Sequence, residues 1–138
     1  MPKVYIVNTN QRFNKQNELE MKNEKKVAAY YSPWKYYIDE IEANDIVFLY
    51  SNGKGIIARG AATGIVEAKD VGKDIEQEHY MHLNHYNDLE SPLAPSEIIR
   101  IAKSITDDDY NIKWNQTMIH VPHFIGLKLW QHITKNCL

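Results

Sequence analysis

A strand that runs into a tight turn and returns as a second strand is the feature that most constrains this fold. Residues 46–51 alternate with the two-residue period of a β-strand, Asn52-Gly53 forms a typical hairpin turn, and residues 55–66 follow as the return strand. The return strand contains three glycines, Gly55, Gly60 and Gly64. Glycines inside a strand indicate bulges or sharp bends, so we expect this hairpin to curl its sheet towards a barrel.

Shorter segments on both sides of the hairpin predict further strands and helices in irregular order. The predicted strands are 3–8, 79–86 and 117–121, and the predicted helices are 17–26, 33–43, one opening at Pro95 and one following Pro122. This order favours an α+β fold over a doubly wound parallel sheet. We therefore predict a small curled or closed β-barrel with short peripheral helices.

Residues with special backbone preferences predict where the helices begin and end. Asn17 can cap the first helix, and Ser32-Pro33 combines a hydroxyl N-cap with proline at the first helical position. Asn44 can adopt the left-handed conformation that ends the second helix. In the last helix we expect four side chains to face the core: Phe124, Leu127, Trp130 and Ile133.

Length and cysteine content restrict the class of protein. A chain of 138 residues is typical of one domain, and no composition shift indicates a boundary, so we predict a single domain over 1–138. The only cysteine is Cys137, which excludes an internal disulfide and favours an intracellular, cytoplasmic protein. The apolar run 4–7 is too short for a signal peptide or a membrane span, so we expect no membrane association.

Sequence motifs of common enzymes and metal sites are absent. The sequence contains no phosphate-binding glycine loop, dinucleotide fingerprint, nucleophile elbow or zincin helix. On a strand, His82 faces away from His79 and His85, so the three cannot share one metal ion. Asp107 to Asp109 lack the alternating spacing of a calcium loop. We therefore expect no catalytic residue, no metal and no other cofactor.

Charge and aromatic residues are concentrated near the N-terminus. Residues 1–37 carry seven Lys or Arg against three Glu, whereas the whole chain has a net charge of −2. Five aromatic residues follow within positions 30–37, around the corner Ser32-Pro33-Trp34. Aromatic faces beside basic charge suit base stacking with phosphate contacts. The alternatives are a solvated Lys/Glu helix and a Trp34 buried in the core.

Residues 32–66 resemble the EVE domains of the PUA-like superfamily, which are related to YTH domains. The resemblance lies in the Ser-x-Trp corner, the short helix, residues 44–51 (NDIVFLYS) and residues 55–66 (GIIARGAATGIV). The order of the elements extends it over most of the chain. The sequence departs from the family at Asn44, where a glycine is usual, and at Lys35-Tyr36-Tyr37, where small residues are usual.

The resemblance implies a barrel whose pocket accepts a flipped nucleobase, which is methylated in the YTH and several EVE-like cases. It implies a base pocket formed by Asn8, Thr9, Ser32, Trp34, Tyr50 and Ser51. The basic residues expected to contact phosphates are Lys22, Lys25, Lys26, Lys35 and Arg59. In this interpretation Trp34 stacks on the base, while Asn8 and Ser32 read its polar edge.

Three hypotheses of function remain open at this stage. The first is a non-enzymatic domain that recognises a flipped nucleobase of DNA or RNA, methylated or not, in an aromatic pocket. The second is a PUA-like enzyme of the amidohydrolase type acting on a modified nucleoside. The third is a protein-interaction module whose exposed tyrosines bind a partner chain.

Overall fold

The computed structural model describes residues 1–12 and 14–138 and has an α+β architecture. Seven strands form in chain order: β1 (Val4–Asn8), β2 (Lys26–Tyr30), β3 (Ile46–Ser51), β4 (Gly55–Ala62), β5 (Glu67–Val71), β6 (Asp74–Leu93) and β7 (Met118–Val121). The helices are α1 (Lys15–Glu24), a 3₁₀ helix (Trp34–Glu40), α2 (Pro95–Lys103) and α3 (His123–Asn136). None of the helices in the described part of the chain is long and apolar enough to cross a bilayer.

All seven strands belong to one mixed sheet, which is curled into a half-barrel. The strand order is β2-β6-β4-β3-β1-β7, and β5 pairs with β6 beside this path. Among the strand pairs of the described residues, only β1 and β3 run parallel. The 20-residue strand β6 pairs with β2 and β5 through its first half and with β4 through its second half. One strand therefore connects the two halves of the sheet.

Irregular pairing around β4 produces much of the curl. The register shifts between Leu49 and Tyr50 in the β3–β4 pair, and between Arg59 and Ala61 in the β4–β6 pair, where Gly60 is skipped. Gly55 has a φ of 111°, and a side chain there would collide with the Leu93 carbonyl. The bends expected from glycines in the return strand are thus present at both positions.

The sheet separates two apolar cores. On one side Val4, Ile6 and Phe48 pack against α2 and α3. On the other side Tyr5, Val7 and Leu49 alternate with them and pack against residues of α1, β2, β6 and the 3₁₀ helix. This alternation follows from the two-residue period of the strands. It places α1 and the 3₁₀ helix on the side of the sheet opposite to α2 and α3.

The helices and strands differ from prediction at several places. The first helix begins at Lys15, with Asn14 rather than Asn17 as its cap, and it ends at Glu24. The helix expected over 33–43 is a shorter 3₁₀ helix without a side-chain cap. Strand β5 was not predicted, and β6 is far longer than 79–86. The left-handed conformation predicted for Asn44 is confirmed by its φ of 72°.

The prediction of the α3 face that packs on the sheet is confirmed for Ile133 and in part for Trp130, and is wrong for Phe124 and Leu127. Phe124 and Leu127 are exposed, while the buried residues are Ile125, Gly126, Leu129 and Ile133. The buried residues Ile125, Leu129 and Ile133 follow a four-residue spacing, which is one helix face. Trp130 borders that face and packs against the core only in part.

Candidate ligand-binding cleft

A cleft of about 610 Å³ opens at one end of the half-barrel. At this end β1, β2 and β5 finish and β7 begins, so the cleft is formed by segments that leave or enter the sheet. Three aromatic side chains line it, Tyr30, Tyr31 and Trp34. Its other lining residues are Asn10, Asn14, Asn17, Val71, Asn115 and Thr117. The cleft is thus bounded by aromatic rings and by uncharged polar groups.

The aromatic wall is produced by the path of the chain after β2. Tyr31 has a φ of 64°, which turns the backbone sharply out of the strand. The 3₁₀ helix then starts with Trp34, and Lys35 N–H donates to the Tyr31 carbonyl at 2.8 Å. Trp34 is left 47% exposed and Tyr31 40% exposed. Trp34 is therefore a surface ring beside an open cleft and is not part of the core.

Asparagines supply the polar part of the cleft. Asn10 follows β1 in a left-handed conformation, and its N–H donates to the Asn8 side-chain oxygen at 2.8 Å. Asn14 caps α1 by accepting from the Gln16 N–H, and Asn17 lies in the first turn of the same helix. Amide side chains both donate and accept hydrogen bonds, so they suit a neutral ligand that does the same.

The Tyr30 hydroxyl is fully buried and has no hydrogen-bond partner among the described residues. Burial raises the pKa of this phenol well above its usual range, and the nearby carboxylates of Glu78 and Glu20 raise it further. The group therefore stays protonated at neutral pH and keeps a hydrogen bond to donate. An orphaned buried hydroxyl costs free energy, on the order of 1–3 kcal/mol.

Of the six residues predicted for the base pocket, only Trp34 lines this cleft. Asn8 and Thr9 are buried beneath it: Asn8 donates to the Asn52 side chain, and the Thr9 hydroxyl donates to Glu18 at 2.6 Å. Ser32 is exposed and lines a neighbouring cleft of about 660 Å³ that shares Tyr31.

The two residues predicted at the end of β3 lie in the interior. Tyr50 is buried and stacks on Trp114, with ring centroids 4.5 Å apart and planes 6° from parallel. Ser51 is fully buried, and its hydroxyl has no partner among the described residues. Alternation along β3 sends these two side chains to opposite faces of the sheet, so they cannot border one pocket.

Three of the predicted phosphate contacts are engaged inside the protein. The Lys26 ammonium is fully buried, 2.8 Å from the Glu78 carboxylate and 3.0 Å from Glu20. Lys35 is 7% exposed and donates to the Glu76 carbonyl and the Gln77 side chain. Phosphate contact by these residues would require breaking those interactions, and a buried charge left without its partner is costly.

Arg59 is also internal, and it belongs to the opposite side of the sheet. Its guanidinium donates to Asn87, the Trp130 carbonyl and the Thr134 hydroxyl, and it lies 4.1 Å from the Trp130 ring centroid. Burial lowers the pKa of this guanidinium. Arg59 therefore anchors α3 to β4 and is remote from the α1 side, on which Asn14 and Asn17 lie.

Lys22 and Lys25 remain accessible but lie at the far end of α1 from Asn14. Other basic residues are closer along the chain to the lining residues. Arg12, Lys15, Lys73 and Lys113 are exposed, and each is within two residues of a residue that lines the cleft. No salt bridge joins these four to a carboxylate among the described residues. Together they form what we call the basic rim.

Three of the asparagines of the cleft belong to a segment with an unusual composition. Four asparagines occur within positions 8–17, a high density for a loop and a helix start. Asn115 and Thr117 had no such signal, because their position depends on β7 pairing with β1. Within residues 1–12 and 14–138, no group of three or more His, Cys, Asp or Glu is placed to hold a metal ion.

No protein-family model matches the chain. No curated protein matches it significantly either.

Proposed function

We propose that this protein is a non-enzymatic reader that binds a nucleobase of DNA or RNA in the cleft beside Trp34. The base, methylated or not, is flipped out of its strand, and the curled sheet is of the PUA-like type. One observation carries the proposal: a half-exposed tryptophan and two tyrosines share a cleft with four asparagines and a threonine. The charged groups of the described residues lie outside this lining.

A nucleobase matches the two kinds of surface that the cleft offers. Its flat faces stack on aromatic rings, and its edge carries both donors and acceptors for amide side chains. Tyr30 contributes to the aromatic surface on which a base can stack. The volume of about 610 Å³ falls in the range of roughly 300–1,000 Å³ that small-ligand sites occupy.

The basic rim supplies the phosphate contacts in this proposal. Arg12 and Lys15 flank Asn14, while Lys73 and Lys113 follow and precede lining residues by two positions. These residues take the role first expected of Lys26, Lys35 and Arg59, whose charges are engaged internally. Because the net charge of the chain is −2, such contacts must be local rather than a general attraction for polyanions.

Titration with short single-stranded DNA and RNA oligonucleotides, with and without methylated bases, tests the proposal. We expect binding that weakens as salt is raised, with log K falling by about 0.7 per phosphate contact for each tenfold increase in salt. Two to four contacts then correspond to a slope of about −1.4 to −2.8. Failure of every oligonucleotide to bind would overturn the proposal. Binding that is indifferent to salt would contradict the role of the basic rim and favour a protein partner.

A further inference from the structure

A second and larger cleft adjoins the first. It has a volume of about 930 Å³ and runs along β1, β7 and the 3₁₀ helix. Its aromatic residues, apart from Trp34, are Tyr5, Tyr37 and His120. Trp34, Asn115 and Thr117 line both clefts, so the two meet at these residues. We call the cleft with Tyr30 and Tyr31 the first cleft and this one the second cleft.

We propose that the two clefts are consecutive subsites for two adjacent nucleotides of one strand, with Trp34 between their bases. The inference rests on the proposed function and extends it from a single base to a dinucleotide step. Trp34 is 47% exposed and lines both clefts, so each cleft has part of its indole surface available. Insertion of an apolar side chain between neighbouring bases is an established way for proteins to separate a base step.

The second cleft has its own surface for stacking. Tyr5 and His120 form a pair with ring centroids 5.6 Å apart and planes tilted by 44°. Tyr5 is almost fully buried, whereas His120 is exposed and Tyr37 is half-buried. Tyr5 thus anchors the pair in the core, while His120 is accessible from the cleft side. A base entering here would meet rings that are already positioned, which limits the entropy lost on binding.

The residues where the clefts meet suit the linkage between two nucleotides. Asn115 and Thr117 belong to both linings, and Gln116 between them lines the second cleft. All three side chains are uncharged and carry N–H or O–H donors that can reach a phosphodiester oxygen. The Asn8 N–H donates to the Thr117 carbonyl at 2.8 Å, which fixes this segment to the end of β1.

The charges of the second cleft indicate which bases it accepts. Glu40 is exposed and lines it, and no ion pair joins it to a basic group among the described residues. Lys3 is also in the lining, but its ammonium is paired with Glu42 at 2.6 Å. A free carboxylate accepts hydrogen bonds from exocyclic amino groups such as that of cytosine. The second subsite therefore favours bases that carry an amino group over uracil.

Calorimetric titration can compare nucleosides with dinucleotides directly. The probes are adenosine, guanosine, cytidine, uridine and N6-methyladenosine, together with dinucleoside monophosphates that combine the tightest nucleoside with each of the four bases in both orders. We expect the best dinucleotide to bind at least about fivefold more tightly than its nucleosides, the lower limit for one additional stacked base. We expect Glu40→Gln to reduce the preference for a neighbouring base with an amino group.

Tyr37→Ala and Tyr36→Ala form a matched pair of variants. Tyr37 lines the second cleft, whereas its neighbour Tyr36 on the same 3₁₀ helix is 50% exposed and lines neither cleft. We expect Tyr37→Ala to remove the gain from the second nucleotide while nucleoside affinity stays unchanged, and Tyr36→Ala to change neither. His120→Ala, at an exposed position, provides a second variant with the same expectation if Tyr37→Ala lowers stability.

The possible failures are distinguishable. If nucleosides bind but no dinucleotide binds more tightly, the two-subsite inference is wrong and the proposed function stands. If Tyr37→Ala weakens nucleosides and dinucleotides equally, the second cleft is not a separate subsite. If neither nucleosides nor dinucleotides bind but a longer oligonucleotide does, the two-subsite inference is wrong and the proposed function stands. If no oligonucleotide binds either, both proposals are contradicted.

Discussion

Trp34 and Ile38 lie four positions apart on the same 3₁₀ helix and have opposite environments. Trp34 is 47% exposed, whereas Ile38 is fully buried in the second core. Since a ring at the surface loses little packing when truncated, we expect Trp34→Ala to lower the melting temperature only slightly. The same variant should lose about 1–3 kcal/mol of oligonucleotide affinity, as removal of a stacking ring does. Thermal unfolding and fluorescence-anisotropy titration with labelled oligonucleotides measure the two effects.

Ile38→Ala is the control for this prediction. Removal of a buried isoleucine side chain costs about 2–5 kcal/mol of unfolding free energy. A Trp34→Ala variant that melts as far below the wild type as Ile38→Ala would show that the indole is structural. Unchanged affinity in Trp34→Ala would remove the central residue from the proposed cleft.

The conformation and burial of individual residues could be predicted where they depend on residues nearby in the sequence. The left-handed Asn44 follows from the local preference of asparagine for this conformation, although it lies in a turn beyond the 3₁₀ helix, which ends at Glu40. Lys26 and Arg59 were expected at the surface because they are charged, yet their partners Glu78 and Thr134 lie 52 and 75 positions away. Such partners are set by strand pairing and helix docking, which single-residue chemistry does not encode. For the same reason, the residue type of Ser51 alone could not predict that its side chain lies in the interior and not in the pocket.

At the scale of elements, docking of α3 depends on the absence of a side chain at Gly126. A Cβ at this position would collide with both γ-carbons of Val4, which is fully buried in β1. We expect Gly126→Ala to destabilise the protein, because overpacking costs about 1–3 kcal/mol. Helix propensity opposes this by about 1 kcal/mol, so the net loss should be at most about 2 kcal/mol. Chemical denaturation measures the change in unfolding free energy.

The Val4→Ala variant serves as the matched partner in a double-mutant cycle. Val4→Ala removes the γ-carbons that a Cβ at position 126 would strike. The double variant should therefore be more stable than the sum of the two single losses indicates, by about 1 kcal/mol. Strictly additive losses would mean that α3 accommodates the new Cβ by shifting along the sheet. The close approach of Gly126 to Val4 would then not determine the position of α3.

Elements with local signals were predicted, and those defined by distant pairing were not. The β3–β4 hairpin follows from its alternation and its Asn-Gly turn, and α2 opens with Pro95 in the first turn, as expected. Strand β2 was assigned in part to a helix because Lys26 continues the charged pattern of α1. Strand β6 is largely polar on its exposed positions, so its full 20 residues show no clear two-residue period. The cleft takes Tyr30 from β2 and Val71 from β5, which pairs with β6, and this is why its lining was only partly predicted.

At the scale of the whole molecule, one carboxylate links several elements. Glu20 of α1 contacts Lys26 of β2 at 3.0 Å and Lys69 of β5. Burial alone would raise the pKa of Glu20, but its hydrogen bonds from Lys69 and Lys26 lower it to about 2. A pKa below the usual 4.5 means that this contribution to stability is present above pH 4.5 and is lost as the pH falls towards 2.

We therefore expect Glu20→Gln to have a lower melting temperature than the wild type at pH 7, and a smaller loss of melting temperature between pH 4.5 and pH 2. Burial raises the pKa of Glu78 against the opposing effect of Lys26, so Glu78 titrates with the opposite sign and does not produce the same loss. Glu90→Gln, at an exposed carboxylate, is the control and should follow the wild type. Parallel pH profiles for Glu20→Gln and the wild type would contradict this prediction.

The long strand β6 also determines when a chain growing from its N-terminus can fold. Strand β2 has no neighbour in the sheet except β6, which begins 44 residues after the end of β2, at Asp74. Strand β1 obtains its second neighbour only when β7 is made. During synthesis, β2 and β4 therefore lack their shared partner β6 until most of the chain has been translated. Such late, long-range closure predicts slow folding that is completed after translation, with a period in which unpaired strand edges are open to aggregation.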